Sequence, residues 1–275
     1  MSRGTCSCTA LTLTCNSVET LEACLRSGLF CAEHVILDGG SVDGTLSLAE
    51  KYGCRVVPQD RNFLNPEGRI IDYGNIRNQG IKEARYGWIM ITDSDEYLDE
   101  EIIKAIERVA EEEDPGAYDV NRLYTYHGSV IKYASTYPNR QIRLFHKDAI
   151  IKFIKVVHER PELRLGISAK ILPGIQYVPL TPLPDLKRKF MHYLPLEAKL
   201  AGGKGWMNWL LLVLDKNLRL VVRFFRILRN RLFHRWRDCL PLKYEFLYFW
   251  YAWAILWRTC PFNFPASGQP ISGNP

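Results

Sequence analysis

Residues 88–96 read WIMITDSDE. Trp88 to Thr92 carries no charge, and it ends in two carboxylates, Asp93 and Asp95, with Ser94 between them. A short apolar run that follows Tyr86-Gly87 and stops at acidic residues predicts a strand buried on both faces, as at the centre of a parallel sheet. Burial accounts for the run but not for two carboxylates at its mouth. Carboxylates one residue apart can share a loop and suit a hard cation such as Mn²⁺ or Mg²⁺. They also suit the amino end of the helix expected from about Asp99 to Glu113. The residues alone leave both readings open.

Toward the amino terminus the pattern repeats. Thr9 to Thr14 reads as a first strand, with Asn16 or Ser17 placed to cap a helix running to Arg26. His34 to Leu37 reads as a second strand, which ends in Asp38-Gly39-Gly40-Ser41. Asp43-Gly44-Thr45 then opens a helix through Lys51, and Arg55 to Val57 forms a third strand. A helix over Asn75 to Arg85 precedes Trp88. Alternating strands and helices imply an α/β fold with a mostly parallel sheet, covered by helices on both faces. Right-handed crossovers place the loops after these strands on one edge, where open α/β sheets bind ligands. Asp38 falls at that edge, where it can accept hydrogen bonds from a base or ribose. Asp43 and Thr45 are equally placed to cap a helix. No GxGxxG fingerprint and no GxxxxGK(S/T) loop is present, which counts against a dinucleotide-dependent oxidoreductase and a P-loop NTPase.

Toward the carboxyl terminus, Tyr118 to Tyr126 and Gln141 to Phe145 read as strands, and the three prolines of residues 179–184 mark a linker. Beyond it the composition changes. Residues 187–237 hold thirteen Lys and Arg against Glu197 and Asp215, a local net charge of +11 in a chain whose total is +6. Leu218, Val221, Val222, Phe225 and Leu228 share one helical stripe opposite Arg219, Arg223 and Arg226. Phe246 to Trp257 is twelve uncharged residues, too short to cross a bilayer as a helix. Together these predict docking on an anionic membrane surface without a span, although packing on the sheet or on another subunit explains the same pattern. The acidic run from Asp99 to Asp114 reads as a solvated helix face. The expected division is a catalytic domain over 1–184, with a nucleotide half at 9–115 and an acceptor half at 116–184. A basic, aromatic helical region at 185–262 and a loose tail at 263–275 follow. The eight cysteines form no CxxC pair and read as free thiols. Met1 to Cys15 lacks the apolar run of a secretory leader, so the expected location is cytoplasmic, on the membrane face.

In order, TCNSVETLEACLRSG, VILDGGSVDGTLSLAEKYG and GNIRNQGIKEARYGWIMITDSDEYL resemble the nucleotide-sugar domain of family 2 inverting glycosyltransferases, the GT-A fold. YPNRQIRLFHK, VHER and MHY further resemble the branch holding lipopolysaccharide core β-1,4-glucosyltransferases. The resemblance spans roughly residues 9 to 257. It implies a metal-dependent transfer of a hexose from a nucleoside-diphosphate sugar, UDP-linked, to a glycan or lipid-linked saccharide. Under it, Asp38 contacts the base, Asp93 lies near ribose and metal, and Asp95 ligates Mn²⁺ or Mg²⁺ through the diphosphate. Asn16 and Asp43 belong to the donor loops, and Arg77 and Asn78 help shape the nucleotide pocket. Relatives often carry Glu just after the position of Asn16; here Ser17 and Val18 follow, and Glu19 is the nearest substitute.

Inversion needs a base for the acceptor hydroxyl. Glu96, Asp148, Glu159, Glu162 and Asp185 are the available carboxylates, and Glu159, beside His158 as a possible metal ligand, is the choice. Arg140 and Arg143 are the expected phosphate contacts, and Tyr133 and Tyr137 are candidates for the acceptor pocket. The alternatives are a sugar-nucleotide nucleotidyltransferase, which asks for a Gly-rich basic loop where Thr14-Cys15-Asn16-Ser17 stands, a non-catalytic glycan-binding protein, and a nucleic-acid-binding module. No nucleic-acid reader motif appears, so no nucleic-acid partner is expected.

Overall fold

A computed structural model describes residues 4–112, 114–154, 159–201 and 205–261. The expected tail at 263–275 and His158 lie outside the described residues. Among these, the chain forms two compact units: residues up to Thr125 with Pro138–Pro179, and Tyr126–Tyr137 with the residues from Leu180 onward.

The first unit is an α/β fold. It alternates β1 (Cys6–Thr14), α1 (Leu21–Ser27), β2 (Cys31–Asp38), α2 (Thr45–Lys51), β3 (Arg55–Pro58), α3 (Tyr73–Glu83), β4 (Trp88–Asp93), β5 (Tyr97–Leu98) and α4 (Glu100–Ala110). There follow along the chain β6 (Ala117–Tyr126), β7 (Ser129–Val130), whose residues belong to the second unit, β8 (Arg140–His146), β9 (Ile150–Ile154), β10 (Arg160–Leu163) and β11 (Lys170–Pro179). The sheet order is β3-β2-β1-β4-β8-β6-β11-β5. The first four strands are parallel. Beyond them the sheet is mixed: β8 runs antiparallel to both β4 and β6, β11 is parallel to β6, and β5 is antiparallel to β11.

Period-two alternation feeds two cores from the same strands. Cys8 and Ala10 of β1, with Trp88 and Met90 of β4, pack with Ile102, Ile106 and Val109 of α4. Leu11 and Leu13, with Ile89 and Ile91, pack on the other face with Ile76 of α3. Leu21, Leu25 and Tyr52 bring α1 and α2 against Ile36. This is why residues 88–92 carry no charge: both of their faces are covered. The glutamates of α4 are its solvated side, and Asp99 caps it by accepting the Ile102 N–H at 2.8 Å.

Several boundaries differ from the sequence expectation. Asn16 does not open α1: it sits at φ 50°, and the helix starts at Leu21, preceded by a turn in which the Ser17 carbonyl accepts the Thr20 and Leu21 N–H groups. Asp72 caps α3 two residues earlier than expected, accepting the Asn75 N–H at 3.0 Å.

The second unit holds α5 (Leu183–Ala201), α6 (Gly205–Phe233) and α7 (Leu242–Thr259). The amphipathic stripe read at 218–228 lies within a single longer helix, α6. Helix α5 falls in the stretch expected to be helical and runs through Pro195, although proline reads as a helix breaker. Residues 126–137, expected in the acceptor half, are held in this unit. Glu245 of α7 is 2% exposed and accepts both the Ser135 backbone N–H, at 2.9 Å, and its hydroxyl. The Tyr133 ring stacks on His234 with centroids 3.5 Å apart. No helix among the described residues is long and apolar enough to cross a membrane.

Candidate active site

Strand β1 lies between β2 and β4 and is parallel to both. The chain runs from β1 to β2 and β3 on one side and returns to β4 on the other, so the carboxyl ends of β1 and β4 form the switch point at which open α/β sheets hold ligands. Three loops meet there. In the first, Asn16 turns in the left-handed region, its backbone N–H donates to Ser41 Oγ at 2.8 Å, and its Oδ1 accepts the Val42 N–H at 2.9 Å. In the second, Asp38 is buried and its Oδ2 accepts the Gly40 and Ser41 N–H groups at 2.8 and 2.9 Å. That Asx-type turn needs the positive φ of 89° at Gly40, which a residue without Cβ supplies. Asp43 joins the loops, accepting the Thr45 N–H at 2.9 Å and the Val18 N–H at 3.3 Å. In the third, Ser94 Oγ lies 3.0 Å from Ser17 Oγ.

Beneath the third loop sits a network of three arginines and three carboxylates. Asp93 Oδ1 accepts from Arg77 Nη2 at 2.7 Å, and Oδ2 accepts from Arg143 Nη2 at 3.3 Å. Arg77 Nε also donates to Glu159 Oε1 at 3.3 Å. Glu96, 1% exposed, pairs with Arg122, accepts Gln176 Nε2 at 2.6 Å and accepts the Asp93 backbone N–H at 3.1 Å. Burial works against the Asp93 charge, but the guanidiniums of Arg143, Arg77 and Arg122 outweigh it and hold this carboxyl well below the usual carboxylate range. Burial likewise opposes the Arg143 cation, and Asp93, Glu96 and Glu159 reverse that, so its proton is held more tightly than usual. Arg77 Nη1 and Arg143 Nε are buried and have no hydrogen-bond partner among the described residues.

The structure thus brings Asp93, Arg77, Arg143 and Glu159 together, with Asn16, Asp38 and Asp43 in the loops of the same edge. Asp95 is half-buried in the third loop. Asn78 does something different. Its amide clamps β9, accepting the Phe153 N–H at 2.7 Å and donating to the Phe153 carbonyl at 3.1 Å. Arg140 is exposed, three residues from Arg143 along β8, and bonds Asn121 at 2.9 Å. Among the other carboxylates considered as base, Glu96 is locked in the network and Asp148 sits beside His146 at 3.5 Å. Glu162 is exposed on β10, and Asp185, in the helical unit, pairs with Arg188. Sequence reading missed Arg122 and Gln176. Arg122 had a signal: two residues past Val120 and four past Tyr118, it shares their inward face.

Among the described residues no three His, Cys, Asp or Glu side chains converge as a complete metal cage. A cation held by one or two carboxylates and completed by substrate phosphates needs no such cage, and the Asp93-Ser94-Asp95 loop supplies the hard oxygen donors for that arrangement.

The sequence model of glycosyl transferase family 2 matches residues 9–167, more than half of the chain. The chain belongs to glycosyl transferase family 2. The match begins within β1 and ends past β10, so it takes in all three loops and the arginine–carboxylate network. Among solved structures, S. aureus TarS 1–349 in complex with UDP is similar at 17% identity, over 66% of this chain and 63% of that one, with a TM-score of 0.42. Glucosyl-3-phosphoglycerate synthase from Mycobacterium tuberculosis, in complex with Mn²⁺, UDP and glucosyl-3-phosphoglycerate, is similar at 22% identity, over 43% of this chain and 44% of that one, with a TM-score of 0.31. The family 2 chain therefore spans less than two thirds of the length of either.

Proposed function

We propose that this family 2 chain is a glycosyltransferase that moves a hexose from a nucleoside-diphosphate sugar, UDP-linked, to a hydroxyl of a glycan or lipid-linked saccharide, with inversion at the anomeric carbon. The observation that carries the reading is the meeting of the 15–18, 38–45 and 93–96 loops at the switch point of a family 2 sheet, directly above Arg77, Arg143 and Glu159. The resemblance to the lipopolysaccharide core β-1,4-glucosyltransferase branch makes a membrane-presented glycan the proposed acceptor.

In this reading the Asp38 and Asn16 loops receive the nucleoside. Asp95, with Asp93 beside it, would hold a Mn²⁺ or Mg²⁺ ion, which when bound neutralises the diphosphate and stabilises it as leaving group. Glu159 takes the proton of the acceptor hydroxyl as that oxygen attacks the anomeric carbon in line. The bond from the anomeric carbon to the diphosphate oxygen breaks, and its electron pair leaves with the nucleoside diphosphate. Arg77 places two of these groups: one guanidinium fixes Asp93 under the donor loop and Glu159 beside it. Asn78 steadies β9, the strand that leads toward Glu159.

The test is a panel of nucleotide sugars, with native membrane extract as acceptor source, with Mn²⁺ or Mg²⁺ and with chelator. Release of a nucleoside diphosphate coupled to a new glycosidic bond of inverted configuration is expected. Release of pyrophosphate from a nucleoside triphosphate and a sugar phosphate, with no transfer, would replace this reading by nucleotidyl transfer.

A further inference from the structure

Helix α6 is built inside out for a soluble protein. Its 29 residues make a rod about 43 Å long at 1.5 Å per residue. Met207, Leu211, Leu214, Leu218, Val221 and Phe225 recur every three or four residues on one face, and each is between 52% and 66% exposed. Val222, Leu228 and Leu232 extend the same stripe. The opposite face packs on this unit, and Arg223 and Arg226 reach back to it, whereas Arg219 and Arg229 stay exposed. Arg223 lies over the Tyr248 ring, 4.5 Å from its centroid, and Arg226 donates to the Ser135 and Tyr137 carbonyls at 3.3 and 3.4 Å. Leu220, Ile227 and Asn230 are the side chains this face buries. An apolar stripe of this length turned to water is not a feature of solvated surfaces.

Charge selects what covers it. Residues 187–237 carry a net of +11, and Lys187, Arg188, Lys189, Arg219, Arg229, Arg235 and Arg237 are exposed. Two copies meeting through this face would bring that charge against itself, whereas anionic headgroups complement it. Trp206 and Trp236, toward the two ends of α6, are 58% and 70% exposed, and indoles favour the headgroup boundary. The stripe occupies one face only, which suits a helix lying in the plane of the interface.

We propose that α6 is an interfacial helix, which embeds the Met207–Leu232 stripe in the outer layer of an anionic lipid bilayer while Arg223 and Arg226 fasten the helix to its own unit. The proposal stands on the helical unit alone and does not depend on the transferase reading.

The experiment is flotation of full-length protein with phosphatidylcholine vesicles, with and without phosphatidylglycerol, at low and high salt. Wild type is expected to float with the anionic vesicles, less at high salt. Leu218→Ser with Phe225→Ser, both at exposed positions, should reduce vesicle affinity by about tenfold or more. Brominated lipids should quench tryptophan fluorescence in the wild type, a reading that needs no variant to fold. Wild type that stays unfloated at low salt, or a double variant that floats equally well, overturns the proposal. So does a lipid-free dimer that the same double variant dissociates, which would assign the stripe to a second copy.

Discussion

Arg77 of α3 reaches Asp93 at the end of β4 at 2.7 Å and, with the same guanidinium, Glu159 at 3.3 Å. One buried side chain thus ties the donor loop to the proposed base. A planar fork serves two carboxylates at once, which an ammonium does not reproduce. Arg77→Lys is expected to destabilise the fold by about 1–3 kcal/mol, because a carboxylate partner is left unmatched, and to lower turnover more than donor affinity. Thermal melts and separate determination of KM and kcat check this; unchanged kcat in a folded variant would remove Arg77 from the positioning role.

The depressed Asp93 carboxyl has a pH signature. A group whose pKa falls on folding contributes stability above its unfolded value, about 4 for Asp, and loses it as pH drops through the folded value. The melting-temperature gap between wild type and Asp93→Asn should be full at neutral pH and shrink below about pH 4. A gap that stays constant into the acid range would mean that Asp93 is not held by its guanidiniums.

What the sequence made legible, and what it hid, has a physical pattern. The four parallel strands were readable because each is short, apolar and followed by loop residues, and each lies near its expected place. Asp93 was marked by its place at the end of an apolar strand and Arg77 by resemblance, but their pairing was not legible, since ion pairs between distant elements leave no spacing to read. Arg122 was hidden by its type, an arginine on an inward strand position, although alternation with Tyr118 and Val120 marked it. The stripe of α6 was legible as a pattern, but only the structure shows Arg223 and Arg226 reaching back to the protein.

Gly174 offers a test of how the sheet positions Glu96. It lies in β11 at φ 92°, within the register shift between Leu172 and Ile175, and a Cβ there would stand 2.2 Å from the Ile102 backbone nitrogen. The irregularity precedes Gln176, which donates to Glu96 at 2.6 Å. Gly174→Ala combines a strained backbone with a backbone clash, each costing about 1–3 kcal/mol. A large drop in denaturation midpoint is expected; a variant as stable as wild type would show that β11 does not hold this conformation.

Asp95→Asn removes one charged oxygen from the loop proposed to hold the cation. Transfer should fall steeply at ordinary Mn²⁺ concentration and recover in part when Mn²⁺ is raised, because the lost interaction is with the ion. Isothermal titration of Mn²⁺ with UDP present should show the same weakening. Wild-type turnover at low Mn²⁺ would exclude Asp95 as the ligand.

Glu159→Gln separates binding from chemistry. Glutamine keeps the shape and can still accept a hydrogen bond from Arg77 Nε through its carbonyl oxygen, so the arginine–carboxylate network should hold and donor affinity should change little. It has no carboxylate to take the acceptor proton, and loss of a positioned base costs about 10²–10⁴-fold in rate. Titration of a non-transferable donor analogue measures the first quantity, and single-turnover transfer measures the second. If donor binding collapses while the residual rate per bound donor is unchanged, Glu159 is a structural partner of Arg77. In that case the proton must go elsewhere. Glu96 is an unsuitable substitute because it is 1% exposed and already committed to Arg122 and Gln176. Asp148 and Asp185 would then be the carboxylates to replace next, one at a time, with the same two measurements.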